Sequence, residues 1–294
     1  MPLDYQGLPQ LRDSLSYCYI EHALIDRKDN AIEYIQKDGR VMVPIAALCT
    51  LLLGPGTSIT HAAVKALAEN GCTIVWVGEE YTRCYAQGLG ETRKAYHVLR
   101  QAELLCDHVG REKVVTNMYQ YRFPQEDCAG IPLVQLRGME GARVKSLYSA
   151  MAKNYGVTWT GRQYNRGDWG DATPINRSLS AANALLNGLC HAAIVSGGYS
   201  PALGFIHTGR QLSFVYDIAD LYKAEFTIPA AFQAAAESTV NVEKQAREIC
   251  REKFRARKLL QRVLPDIDHL LEIDEPSEEA MGSDPPSELW EELY

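Results

Sequence analysis

TIVWVGEEYTRCYAQGLGETRKAYHVLRQAELLCDHV, residues 73–109, changes its period partway along. Its first half alternates β-branched and aromatic residues in short runs, the pattern of strands. Its second half places apolar residues at helical spacing. The glycine-rich stretch AQGLGETR, residues 86–93, lies between the two and marks a domain boundary. Upstream, SLSYCYIE, AIEYIQ, RVMVP and ALCTLLL read as further strands, with turns at Asp29-Asn30, Asp38-Gly39 and Gly54-Pro55-Gly56. One helix interrupts them: Ser58 or Thr60 can cap HAAVKALAEN, and Gly71 ends it. Downstream, REKVVTNMYQYRF, LRGMEGARVKSLYSAMAKNY, INRSLSAANALLNGLCHAAIVSG, SFVYDIADLYKAEF and VEKQAREICREKFRARKLLQRVL all carry the helical period. The expected fold class is α+β. A small β-sandwich-like domain over residues 1–88 precedes an all-α catalytic domain over 89–264, and an acidic, mobile tail follows over 265–294.

The formal net charge is −7. Residues 265–294 hold eleven acids and no Lys or Arg, which leaves 26 acids against 30 basic residues in the rest. The body is thus mildly positive, compatible with a phosphate-bearing partner. The eight cysteines (18, 49, 72, 84, 106, 128, 190 and 250) form no C-x-x-C pair and no cluster with histidine. They read as reduced, small hydrophobes, and a zinc site is not expected. The start of the chain lacks a signal-peptide pattern and no long uninterrupted apolar run occurs, so a cytoplasmic protein with no membrane partner is expected.

Several chemistries lose support at once. GPGTSI puts Ile59 where a dinucleotide fingerprint needs its third glycine, and the chain has no Gly-Lys dipeptide and no H-E-x-x-H. A different set of polar residues remains. Asp217 and Asp220 in SFVYDIADLY stand three apart and share a helix face, which Phe214, Val215, Ile218 and Leu221 would set against the core. His207 lies ten residues before Asp217, in the loop GFIHTGR between Gly204 and Gly209. Glu140 in RGMEGARVK adds a carboxylate from another helix, flanked by Arg137 and Arg143. Two carboxylates and an imidazole suit Mg²⁺ or Mn²⁺ with open water positions, and Arg137, Arg143 and Arg210 would hold phosphates beside them. That combination points to phosphodiester chemistry. The same spacing also fits a solvated helix face and an unrelated surface glutamate.

RGMEGARVKSLYSAMAKNYGVTWTGRQYNRGDW (137–169), GGYSPALGFIHTGRQLSFVYDIADLYKAEF (197–226) and PGTSITHAAVKALAENGCTIVWVGEE (55–80) resemble the CRISPR spacer-acquisition integrases, the first CRISPR-associated protein, in its subtype I-E form. The resemblance runs from about residue 10 to 264. It implies a homodimer bridged by a small dimeric second CRISPR-associated protein into a heterohexamer. It also implies an activity: capture of a short DNA and joining of its 3′ hydroxyls to the CRISPR repeat by metal-dependent transesterification. Glu140, His207 and Asp220 match the metal ligands, and Asp217 matches a nearby acid important for activity. Lys65, Arg83 and Arg210 match DNA-contacting positions, and Tyr164 an aromatic residue beside the site. His22 stands where a strand-splaying tyrosine is found, Ser58 replaces a DNA-contacting arginine, and Asn187 replaces an active-site tyrosine. The basic segment 242–262, with Arg247, fits a DNA track or a solvated helix face, and the tail segment SELWEELY fits a docking element for the partner or simple disorder. Two other functions fit the residues: a metal-dependent nuclease of branched DNA, and a non-catalytic scaffold that holds DNA.

Overall fold

The computed structural model describes residues 17–37, 39–79, 83–90, 95–162 and 173–273. The strand-rich part forms two four-stranded sheets. In the first, β1 (Tyr17–Ile20) runs parallel to β5 (Thr50–Leu53), β5 parallel to β7 (Thr73–Val77), and β8 (Cys84–Gly88) closes the sheet antiparallel to β7. In the second, β4 (Gly39–Pro44), β3 (Ala31–Gln36) and β2 (Leu24–Lys28) form an antiparallel meander, and the two-residue β6 (Ser58–Ile59) lies parallel to β2. β5 reads TLLL and is buried along its whole length, as expected of a parallel strand covered on both faces. Its Leu51 and Leu53 join Ile25, Ile32, Ile74 and Leu67 in the N-terminal core, which both sheets share with α1 (His61–Glu69). Thr60 caps α1 by accepting from the Ala63 amide at 3.2 Å.

Sequence alone misses β2 and β6. In LIDRK only Ile25 is buried, so three charged residues mask the strand, and register with β3 supplies what alternation does not. The helical part comprises α2 (Tyr96–Cys106), α3 (His108–Arg122), α4 (Leu133–Tyr155), α5 (Pro174–Ser196), α6 (Ser213–Tyr222), α7 (Thr227–Glu237), α8 (Val242–Ala256) and α9 (Leu259–Leu271). Two expectations change. The single helix read over 242–264 is two helices, broken where Lys258 takes a left-handed φ of 49°. The domain does not stop at 264, because α9 passes through Pro265 and buries Ile267, Leu270 and Leu271. Proline inside a helix costs about 3 kcal/mol, whereas burying each of those side chains returns roughly 1.5–3 kcal/mol. Burial wins.

α5 is the core helix of this part and packs on α6, α7, α8 and α9. It is long and apolar enough to cross a membrane, yet 61% of that apolar window is buried inside the protein. The two parts join where Leu52, Val75 and Val77 of the first sheet meet Ala192 and Val195 of α5. Beneath that contact the Thr50 hydroxyl donates to Ser196 Oγ at 2.6 Å. Among the described residues the cysteines form no disulfide, and burial pushes the Cys84 thiol up to about 11 and the Cys250 thiol to about 12.

Candidate metal and DNA site

α6 anchors the site. Phe214, Val215, Ile218 and Leu221 bury its apolar face, and Asp217 goes inside with them at 0% exposure. A buried carboxylate must find donors, and Asp217 finds four in the preceding loop. The Phe205, Ile206 and His207 amides donate to it at 2.6, 3.1 and 2.9 Å. The fourth donor is His207 Nδ1, at 2.7 Å. With Nδ1–H donated to a carboxylate, Nε2 carries the lone pair and is the nitrogen left to accept a proton or a cation. That atom faces Asp220, 4.0 Å from its Oδ2. The imidazole stays accessible, with 44% of the side chain exposed.

Glycine permits the fold-back. A Cβ at Gly204 would stand 2.3 Å from the His207 carbonyl oxygen and 2.7 Å from Ser213, so no larger residue lets the loop close so tightly on α6. Gly209 supplies the left-handed turn on the far side, at φ 80°.

The spacing of Asp217 and Asp220 therefore conceals two roles. Asp217 binds the loop and is a positioning residue; Asp220, partly exposed, points at the imidazole and is held by the Lys223 ammonium. Lys223 escaped the sequence reading, although its place three residues after Asp220 is a usable signal. Glu140 comes from α4, and both its oxygens accept from Arg143 at 3.1 Å. Arg143 also lies over the Phe123 ring, 5.3 Å from its centroid. Arg137, one turn before Glu140, reaches the Ile206 carbonyl at 3.5 Å and so ties α4 to the His207 loop. The Tyr119 phenol registers the same convergence: burial raises its pKa most, Arg122 and Arg137 lower it, and Glu140 raises it. Among the described residues no three His, Cys, Asp or Glu side chains form a ready-made ligand set. The donor chemistry nonetheless fits a hard divalent ion. Glu140 and Asp220 each already hold a cation of the protein, Arg143 on Glu140 and Lys223 on Asp220.

The expected DNA contacts are spread across the surface. His22 is exposed at a left-handed φ of 50°, with its amide donating to Pro55 and its ring against Gly56. Lys65 is exposed on α1 and pairs with Glu69 at 3.6 Å. Arg83 and Arg210 are exposed, and Arg247 is half-buried on α8. Ser58 lies exposed on β6, and Asn187 on α5 has a buried Oδ1. Tyr164 and the SELWEELY segment lie outside the described residues.

A family model, CRISPR associated protein Cas1, matches residues 132–263, which span Glu140, His207, Asp217 and Asp220. CRISPR-associated endonuclease Cas1 2 of Thermus thermophilus is 50% identical over 288 residues, 97% of this chain and 89% of that protein. CRISPR-associated endonuclease Cas1 of a Clostridium species is 42% identical, over 97% of this chain and 94% of its own. Among solved structures, a TtCas1–DNA complex superposes with a TM-score of 0.82 at 52% identity, covering 90% of this chain and 99% of that one.

Proposed function

The chain belongs to the Cas1 family of CRISPR-associated proteins, and from that premise we propose that it is a metal-dependent DNA integrase of CRISPR adaptation. In this reading it captures short foreign DNA and joins the 3′ hydroxyls into the CRISPR repeat by transesterification. The observation that carries the reading is His207, whose Nδ1 is fixed by buried Asp217 while Nε2 faces Asp220 at 4.0 Å. A histidine oriented by a carboxylate behind it is the arrangement metal-ligating imidazoles use. Glu140, His207 and Asp220 would hold Mg²⁺ or Mn²⁺, with Arg143 and Lys223 giving up the carboxylates they neutralise. A divalent ion there would supply charge stabilisation at the phosphoryl oxygens and activate the attacking hydroxyl.

Freed guanidinium and ammonium groups then face phosphate, so the cations displaced from the carboxylates stay useful next to the DNA. Arg137, Arg143 and Arg210 would hold phosphates beside the centre. Lys65, Arg83 and Arg247 would extend the phosphate track, His22 would stack at the duplex end, and Tyr164 would sit beside the reacting strand. The relative solved with DNA supports a nucleic-acid partner. Homodimerisation, the small dimeric second CRISPR-associated protein, the heterohexamer, the subtype I-E assignment and a cytoplasmic location belong to the same proposal.

The test is joining of a short duplex into a supercoiled plasmid bearing a repeat, with the partner protein present. Joined product should require Mg²⁺ or Mn²⁺ and vanish in His207→Ala, Asp220→Ala and Glu140→Ala. Joining that survives those changes removes the ligand assignment. The relatives' names, endonucleases, favour one second reading: hydrolysis of branched DNA at the same centre. Water replaces the 3′ hydroxyl as nucleophile in that case. Cutting of branched DNA with no joined product would favour it, and DNA binding with no turnover in any metal would leave a scaffold.

A further inference from the structure

His207 sits in a segment, residues 197–212, with no helix or strand to satisfy its backbone. Buried peptide groups still need partners, and here side chains from distant elements provide them. Gln101 of α2, itself 0% exposed, supplies three. Its amide nitrogen donates to the Ser200 carbonyl at 3.1 Å and to the Leu203 carbonyl at 2.9 Å. Its amide oxygen accepts from the Ser200 N–H at 2.8 Å. Arg111 of α3 then grips the Phe205 carbonyl, through Nε at 3.1 Å and Nη2 at 3.0 Å. The N–H of that same residue is the first of the three amides Asp217 receives. At the loop's start His97 Nδ1 lies 2.6 Å from the Gly197 carbonyl oxygen, with its ring stacked on Tyr199 at 4.7 Å.

Burying a primary amide costs free energy unless all of it is bonded. An apolar residue would serve the core better at position 101 if packing were the only requirement. Both amide hydrogens and the oxygen of Gln101 go to one loop, at Ser200 and Leu203, a short way before His207. Asp217 closes that loop from the other side. The two grips meet at Phe205, whose N–H is held by Asp217 and whose carbonyl by Arg111.

We propose that Gln101, with Arg111 completing its grip, is a positioning residue that sets the orientation of His207 before any ligand arrives. The inference rests on the site reading above in one respect only, that the positioned imidazole binds a divalent ion. It adds a control point about a hundred residues from the ligands it serves, on a helix to which the family resemblance assigns no role.

The experiment uses the full chain and two variants, Gln101→Met, which keeps length and volume without the amide, and Arg111→Met. The first readout is the ring signal of His207 in a nitrogen–proton spectrum, assigned by its loss in His207→Gln. The second is Mn²⁺ affinity from water-proton relaxation, at a temperature where circular dichroism shows the variant folded. The expected result is a shifted or broadened His207 signal, with His61 and His269 unmoved, and Mn²⁺ affinity lowered about tenfold or more. A residue that merely stabilised the fold would lower the unfolding temperature and leave both readouts alone. Unchanged His207 signal in folded Gln101→Met overturns the proposal, and Arg111→Met decides it if the first variant does not fold. Wild-type protein that binds no Mn²⁺, or His207→Ala that binds it undiminished, sinks the metal reading instead. The ring signal then still decides the role of Gln101.

Discussion

Asp217 concentrates the site's dependence on single atoms, because one carboxylate holds three consecutive amides and an imidazole. Asp217→Asn keeps the shape and turns one acceptor into a donor facing donors. Bonds to a charged acceptor contribute roughly 1.5–3 kcal/mol, and an orphaned buried amide costs ~1–3 kcal/mol. We expect a loss of about 2–4 kcal/mol in urea unfolding, with the histidine released from its preferred tautomer. A variant as stable as wild type would mean the loop does not depend on this group. His191 on α5 offers a pH signature. Burial lowers its pKa below the ordinary value, so the folded chain refuses a proton that the unfolded chain accepts below about pH 6.5. The unfolded state then binds more protons, and stability that is full above that pH is lost as pH falls toward the folded-state value. His191→Gln should flatten this limb: the stability gap between wild type and variant measured at pH 7.5 should shrink, or reverse, at pH 5.5. A gap independent of pH would show that the burial has no linkage. Residue types were legible at this scale, since Glu140, His207, Asp217 and Asp220 all stand out in the sequence. Their division of labour was not. Helical spacing puts two aspartates on one face, but only packing decides which one enters the core.

The hydroxyl of Thr60 joins two elements. It accepts from the Ala63 amide at the start of α1 and donates to Asp26 of β2 at 2.6 Å. That donation is the main reason the Asp26 carboxyl sits below the usual aspartate range, with the Arg27 amide next. Thr60→Ala should cost about 1 kcal/mol of stability through the lost cap. It should also let the Asp26 pKa, followed by carboxyl-carbon chemical shift, rise back toward the ordinary value. Thr60→Ser should preserve both. A normal Asp26 titration in wild-type protein would contradict the assignment. The cap was readable from sequence because Ser/Thr before an apolar period is a local signal. Two other features of the elements were not local. α7 carries Pro229 in its first turn, where a missing N–H is no loss, so a proline that looks like a breaker is tolerated. α9 continues past Pro265 because Ile267, Leu270 and Leu271 have a core to enter, a fact set by α5 and invisible from α9's own residues.

At the scale of the whole molecule the joint between sheet and helices decides whether the chain behaves as one unit. β5 is the hinge of that joint: Leu51 and Leu53 face the N-terminal core, while Leu52 meets Ala192 and Val195 of α5. With β7, whose Ile74 faces the N-terminal core and whose Val75 and Val77 meet α5, it forms a single layer between the two cores, and unfolding either strips one face of that layer. We expect one cooperative urea transition, with the fluorescence of Trp76 on β7, read in a variant whose other tryptophans are replaced by Phe, and the helical circular dichroism signal coinciding. Two separated transitions would show that the joint is looser than its packing implies. The polar centre of the joint gives the sharper test. Thr50 and Ser196 are both essentially inaccessible; Thr50 donates to Ser196 Oγ, and Ser196 donates onward to the Ala192 carbonyl at 2.6 Å. Ser196→Ala strands the Thr50 hydroxyl between two cores and should cost about 1–3 kcal/mol. Thr50→Val leaves Ser196 its bond to Ala192 and should cost less than about 1 kcal/mol. In the double variant no hydroxyl is stranded, so the loss should fall below the sum of the two singles by roughly 0.5–3 kcal/mol. Strict additivity would mean that the two hydroxyls do not depend on each other, and that the joint is held by its apolar contacts alone.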